Sequence, residues 1–134
     1  MKINESQTVQ IVVSEKDTAR AIALDAEDDF PAVYATSKMI AIMELAAARL
    51  MKPMLKEGEL SVGVGVDIKH LAPTLVGGQI TSLATFLGLE GKLYNFKVEV
   101  SDDAGIVGTG YHTRAIIETS RLLSGAKKRL QEKK

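Results

Sequence analysis

One run constrains this chain more than any other part of it: ATSKMIAIMELAAARLM, residues 35–51, is apolar on nearly every side of a helix. A helix of that kind needs cover from the rest of the chain. Within it, from Met39 to Ala48, Glu44 is the only charged group. Its neighbours three and four positions away are Ile40, Ala41, Ala47 and Ala48, none of which can pair with a carboxylate. A buried carboxylate without a partner is costly. Either a distant segment supplies the partner or the group serves chemistry.

The remaining pattern shows what covers the helix. Residues 7–13 read as a first strand, and residues 14–30 as a short helix or loop with an acidic patch at Asp25, Glu27, Asp28 and Asp29. Thr36 or Ser37 is the expected N-cap of the helix, and Pro53 its expected end. After Gly58 the period changes to two. In 61–70 the alternation sets Val62, Val64, Val66, Ile68 and His70 inward and Gly63 outward. Further strands are predicted at 79–89, 92–101 and 106–118, with Glu90-Gly91 and DDAG as hairpin turns. The tail from Ser120 is basic and reads as a short, fraying helix. One helix and about five antiparallel strands in a single domain over 1–134 imply an α+β hotdog fold, a curved sheet wrapped round a central helix. Its free edges invite pairing, so a homodimer is expected, and a dimer of dimers is compatible with the pattern.

Composition narrows the function. Lys+Arg and Asp+Glu both number 17, an even balance that argues against a nucleic-acid binder. Cysteine is absent, which excludes thiolate chemistry, and two histidines are too few for a histidine-rich metal site, so no metal is expected. No apolar run approaches the length of a membrane span, and the N-terminus lacks a signal-like stretch, so the expected location is cytoplasmic.

His70 falls on the face that packs the helix carrying Glu44. A carboxylate beside an imidazole would satisfy both groups and make an acid–base unit. A hydroxyl at the helix start, Thr36, sits where free N–H groups favour negative charge. The strings FPAVYATSKMIAIMELAAARLMKPML, GELSVGVGVDIKHLAPTLVGGQI and VGTGYHTRAII, with Glu44 eight residues after Thr36 and His70 26 residues after Glu44, resemble the fluoroacetyl-CoA thioesterase-like branch of the hotdog thioesterases. The resemblance implies hydrolysis of a small or short-chain acyl-CoA, with Thr36, Glu44 and His70 as the catalytic set. Glu44 would be base toward water or nucleophile, His70 a proton shuttle and Thr36 an orienting group. It also implies substrate contacts at Gly63 and at an aromatic gate, Phe30. His112 and Arg114, on one face of the last strand, are candidates to meet coenzyme A phosphates or a partner chain. Coenzyme A enters as part of the substrate, and no separate cofactor is implied. A non-catalytic acyl-CoA-sensing module and a dehydratase-type hotdog enzyme are the competing readings.

Eight helical residues span roughly 12 Å and leave Thr36 and Glu44 about 80° apart. They cannot meet at one thioester carbon on a straight helix. Either Thr36 lies in a bend before the helix, or a twofold brings Thr36 of one chain to Glu44 of another.

Overall fold

The computed structural model describes residues 1–132. Strand β1 (Ser6–Val12) is followed by irregular chain, helix α1 (Thr36–Met51), strands β2 (Glu59–His70), β3 (Gln79–Glu90), β4 (Leu93–Asp102) and β5 (Gly105–Glu118), and helix α2 (Thr119–Glu132). The strands form one antiparallel sheet in the order β1-β3-β4-β5-β2, so β1 and β2 are its edges. This is the expected hotdog arrangement. Two-residue loops join β3 to β4 and β4 to β5, and Gly91 (φ 63°) takes the left-handed conformation the first one needs. No described helix is long and apolar enough to cross a membrane.

The core forms where α1 lies on the concave face. Met39, Ile42, Met43, Ala46, Ala47, Leu50 and Met51 point into the sheet and meet Ile80, Ala84, Phe86, Phe96, Val98 and Val100, all buried. Each large side chain of this set contributes about 1.5–3 kcal/mol by leaving water. Along β4, Phe96, Val98 and Val100 are buried and Lys97 is exposed.

Three expectations are corrected. First, the cover of α1 leaves one face open. The i+4 row Ser37, Ala41, Leu45 and Arg49 stays open to solvent. A five-stranded sheet can cover only one side of a helix. Second, the N-cap is Ala35, in an extended conformation, and Thr36 is the first helical residue. The α-helix ends at Met51, two residues before Pro53 as expected, and a 3-10 turn over Lys52–Met54 follows. Third, the alternation in β2 breaks. A β-bulge between Gly63 and Gly65 inserts Val64, with Gly63 opposite Arg114 and Gly65 opposite Thr113. Residues before the bulge therefore carry opposite parity: Gly63 faces α1, and Val62 does not.

Residues 14–30 form two 3-10 turns, Glu15–Asp17 and Arg20–Ile22, and then loop. The acidic residues partly serve local turns. The Asp28 carboxylate accepts from the Leu24 and Asp25 amides, and Asp25 accepts from Glu27.

Candidate functional site

Two polar clusters lie along α1. The first joins its start to the end of β2. The Tyr34 amide donates to the Thr74 carbonyl at 2.8 Å and the Ala35 amide to the Asp17 carbonyl at 2.9 Å. These bonds fix the chain entering α1, so Thr36 emerges with its hydroxyl free of capping duty. Thr36 Oγ1 lies 2.8 Å from His70 Nδ1. His70 is the last residue of β2 and pairs with Gly108, where a side chain would strike Met39. The edge of the imidazole–Tyr34 pair is T-shaped, with centroids 6.4 Å apart. His70 Nε2 is shut off from solvent and has no hydrogen-bond partner. Burial lowers the His70 pKa, and the Ala72 backbone opposes that shift without reaching hydrogen-bond geometry at Nε2. A groove of about 340 Å³ opens beside the pair, lined by Pro31, Val33, Tyr34, Thr36, His70 and Leu71 among others.

The second cluster lies two helical turns further on. Glu44 Oε1 is 3.4 Å from Arg114 Nη1. The same guanidinium nitrogen lies 3.1 Å from His112 Nε2. Arg114 also donates from Nε to Ser61 Oγ and from Nη2 to the Ser61 carbonyl, both at 3.0 Å. His112 Nδ1 lies 2.8 Å from the Gly65 carbonyl, an acceptor only, so Nδ1 carries the proton. Nε2 is then the acceptor that Arg114 needs. Burial is the main cause of a lowered His112 pKa, and the cationic Arg114 lowers it further, against opposing contributions from the Gly65 carbonyl and Glu44. Burial likewise lowers the Arg114 pKa, against the pull of Glu44.

Glu44 thus has the partner its helix neighbours could not supply, yet its side chain remains 41% exposed while that of Arg114 is 7% exposed. The carboxylate is anchored from behind and open in front. Gly63 makes this possible. A Cβ there would fall well inside contact distance of Glu44 Oε1 and 3.3 Å from His112 Cε1. The bulge turns Gly63 toward the helix, where the alternation had set it outward.

The predicted site residues are therefore divided. Thr36 and His70 touch each other, and Glu44, Gly63, His112 and Arg114 form a separate group. Within one chain the two groups do not meet. The bend that could have united Thr36 with Glu44 is absent, since both stand on α1. Phe30 is 43% exposed and does not line the groove, although its neighbour Pro31 does. His112 and Arg114, 1% and 6% exposed, are committed to internal bonds and do not face solvent as phosphate contacts would. Ser61 and Tyr34 take part and were not singled out from sequence. Ser61 has the parity of Gly63 and was hidden by the same bulge. Among the described residues no group of three or more histidine or carboxylate side chains could hold a metal ion.

Comparisons with known proteins bear on this geometry. A family model described as fluoroacetyl-CoA-specific thioesterase matches residues 13–120. The fluoroacetyl-CoA thioesterase of Streptantibioticus cattleyicolor is 32% identical over 123 residues, covering 90% of this chain and 88% of that protein. A solved structure of a fluoroacetyl-CoA thioesterase superimposes with a TM-score of 0.91 at 32% identity, covering 96% of each chain. A phenylalanine-to-alanine mutant of such an enzyme, in complex with fluoroacetate and CoA, gives 0.87 at 32% identity, covering 91% of this chain and 99% of that one. A thioesterase superfamily member from Thermus thermophilus gives 0.85 at 27% identity, covering 98% and 93%.

Proposed function

Because this chain belongs to the fluoroacetyl-CoA-specific thioesterase family, we propose that it hydrolyses the thioester of a small acyl-CoA, releasing the acid and coenzyme A, at a site shared between two copies of the chain. The observation that carries the reading is the anchored, open carboxylate of Glu44, held at 3.4 Å by a buried arginine and cleared by a glycine on the facing strand. A carboxylate fixed in that way accepts a proton without losing its position.

In this reading Glu44 takes a proton from water as the water oxygen attacks the thioester carbon. The carbonyl π electrons move to oxygen and return as the C–S bond breaks, and the sulfur leaves with the proton that Glu44 took from water. Thr36 donates to His70 Nδ1, which puts the ring proton on Nε2, the atom without a partner. An orphaned buried donor costs about 1–3 kcal/mol. The Thr36–His70 pair lines the groove of about 340 Å³, where the hydroxyl and the neutral imidazole can meet the acyl group or the leaving sulfur.

Thr36–His70 and Glu44 can serve one substrate only if a second copy joins them. The β2 edge offers the means. Leu60, Val64 and Val66 are 54%, 56% and 46% exposed on a strand with one unpaired edge, next to the open row of α1. Pairing of β2 with β2 of a second copy covers this apolar edge. It also brings the second copy's α1 alongside the first. The homodimer is thus part of the proposed site.

The test is thiol release from a panel of acyl-CoA esters, with wild type beside Glu44→Gln. The chain has no cysteine to react with the thiol reagent. Release by wild type, with a fall of about 10²-fold or more in Glu44→Gln, is expected. Equal rates in the two proteins would overturn the assignment of Glu44. Absence of release from every ester, with coenzyme A thioesters still raising the melting temperature, would favour the sensing module.

A further inference from the structure

Helix α2 is the largest element that the proposed site does not use. All of its described residues lie outside the core, and its first residue is tied down where the Thr119 amide donates a hydrogen bond to the Gly58 carbonyl at 2.9 Å. At 100° per residue, Leu122, Leu123, Ala126 and Leu130 fall on one stripe. Leu123 and Leu130 are 63% and 75% exposed. Lys127 and Arg129 flank the stripe, and Arg121 and Lys128 stand opposite it. Four bases and one acid, Glu132, make the helix strongly basic. An exposed leucine stripe between cations is a docking face without an occupant in the single chain.

A matching surface lies at the opposite end of β2. Leu71, Leu75 and Val76, beyond His70, are 57%, 70% and 45% exposed. The loop holding Asp25, Glu27, Asp28 and Asp29 belongs to the segment whose Pro31 and Val33 line the same groove as Leu71. Val33 also bridges Leu75. The Arg20 amide donates to the Pro31 carbonyl at 3.1 Å, so the acidic loop leaves and re-enters the chain at the groove that Leu71 lines.

The edge strand relates the two faces. The exposed run of β2 extends from Gly63 to Asp67 and is centred on Gly65. Antiparallel pairing about a twofold at that centre brings residue 59 of one chain opposite residue 71 of the other, each six positions from Gly65. Gly58, where α2 is tied, then lies beside the second copy's Leu71 and Ala72. A 14-residue helix reaches about 21 Å from that point.

We propose that α2 docks on a second copy of this chain, its leucine stripe on Leu71, Leu75 and Val76 and its cations facing the acidic loop at residues 25–29, so that each copy's α2 forms one wall of the other copy's Thr36–His70 groove. The inference rests on the homodimer of the proposed function.

The chain lacks cysteine, so crosslinking is clean. Two single variants, Leu123→Cys and Leu75→Cys, carrying different tags, are mixed under mild oxidation, and the mass of each untreated protein is measured in solution. Formation of a mixed disulfide between the two variants, well above that between like chains, is expected. A truncation after Glu118 should stay dimeric and show KM for acyl-CoA raised several-fold, with kcat changed less. A monomer in solution would overturn the dimer and this docking together. A dimer without the mixed disulfide, and with KM unchanged on truncation, would overturn the docking alone. Vesicles of anionic phospholipid that retain the full chain but not the truncated one, with no mixed disulfide, would assign the stripe to a membrane surface and also overturn it.

Discussion

Glu44 and Arg114 meet at 3.4 Å across the space between α1 and β5, with the acid 41% exposed and the base 7%. The pair is asymmetric. The arginine is held by Ser61 and His112 and has no freedom to follow the acid, whereas the acid faces open space.

Replacement of Arg114 should therefore be felt in stability before it is felt in binding. Arg114→Leu leaves the Ser61 hydroxyl and carbonyl and His112 Nε2 without their donor. At about 1–3 kcal/mol for a buried unsatisfied group, partly relieved by water, a loss of about 3 kcal/mol is expected. Arg114→Lys should lose less, because an ammonium can still face Glu44 but cannot reproduce the fork to Ser61. Urea unfolding checks both. A midpoint for Arg114→Leu equal to that of wild type contradicts this account.

Gly63→Ala tests the space in front of the carboxylate. The added methyl overlaps Glu44 Oε1 and presses on His112. The flexible acid gives way more readily than the strand. Activity should fall at least 10-fold while the melting temperature moves by only a few degrees, since Glu44 is not a core group. Unchanged kcat in Gly63→Ala would show that the carboxylate position is not critical.

The hydroxyl of Thr36 fixes the imidazole tautomer in this account, so the hydroxyl matters and the methyl does not. Thr36→Ser should retain most of the activity, and Thr36→Val should lose about 10²-fold. Thr36 is exposed, so both should lie within about 0.5 kcal/mol of wild type in stability. Steady-state rates and unfolding curves of the two variants decide the matter. Similar rates for Ser and Val at this position would remove Thr36 from the mechanism.

Acid should weaken the fold through the histidines. Burial holds the pKa of both His70 and His112 below the ordinary 6.5. As pH falls below 6.5, the unfolded chain gains protons that the folded chain resists, so stability declines from there down to the folded values. The same shift keeps His70 neutral, and the acid limb of the rate profile should inflect below 6.5. His112→Gln should flatten part of the stability slope without moving that inflection. A melting temperature independent of pH between 7.5 and 5 would contradict the linkage.

Much of this was legible in the sequence. A helix with a single charge between Met39 and Ala48, followed by period-two segments and short turns, determines an architecture, and Phe96, Val98 and Val100 of β4 are buried about an exposed Lys97. The site was legible in its membership and not in its arrangement. One inserted residue, Val64, reverses the parity of everything before it in β2, and no rule of alternation reports a bulge between two glycines. That is why Gly63 and Ser61 turned up on the helix side. The partner of Glu44 lies 70 residues away on β5, beyond the reach of helical spacing. Thr36 looked like a cap because caps are chosen by residue type. Here the backbone of Ala35 enters extended and is bonded to Asp17, and the hydroxyl is left for His70.

The guanidinium of Arg114 serves an acid, an imidazole, a hydroxyl and a carbonyl from three different elements. Such a hub makes the fitness of each neighbour conditional on the others. Substitutions at Ser61, His112 and Glu44 should be strongly epistatic, so that pairs of changes cost less than the sum of their single effects. A lineage drifting away from this chemistry would then shed the whole constellation at once, and a homologue that keeps the arginine would be expected to keep its companions.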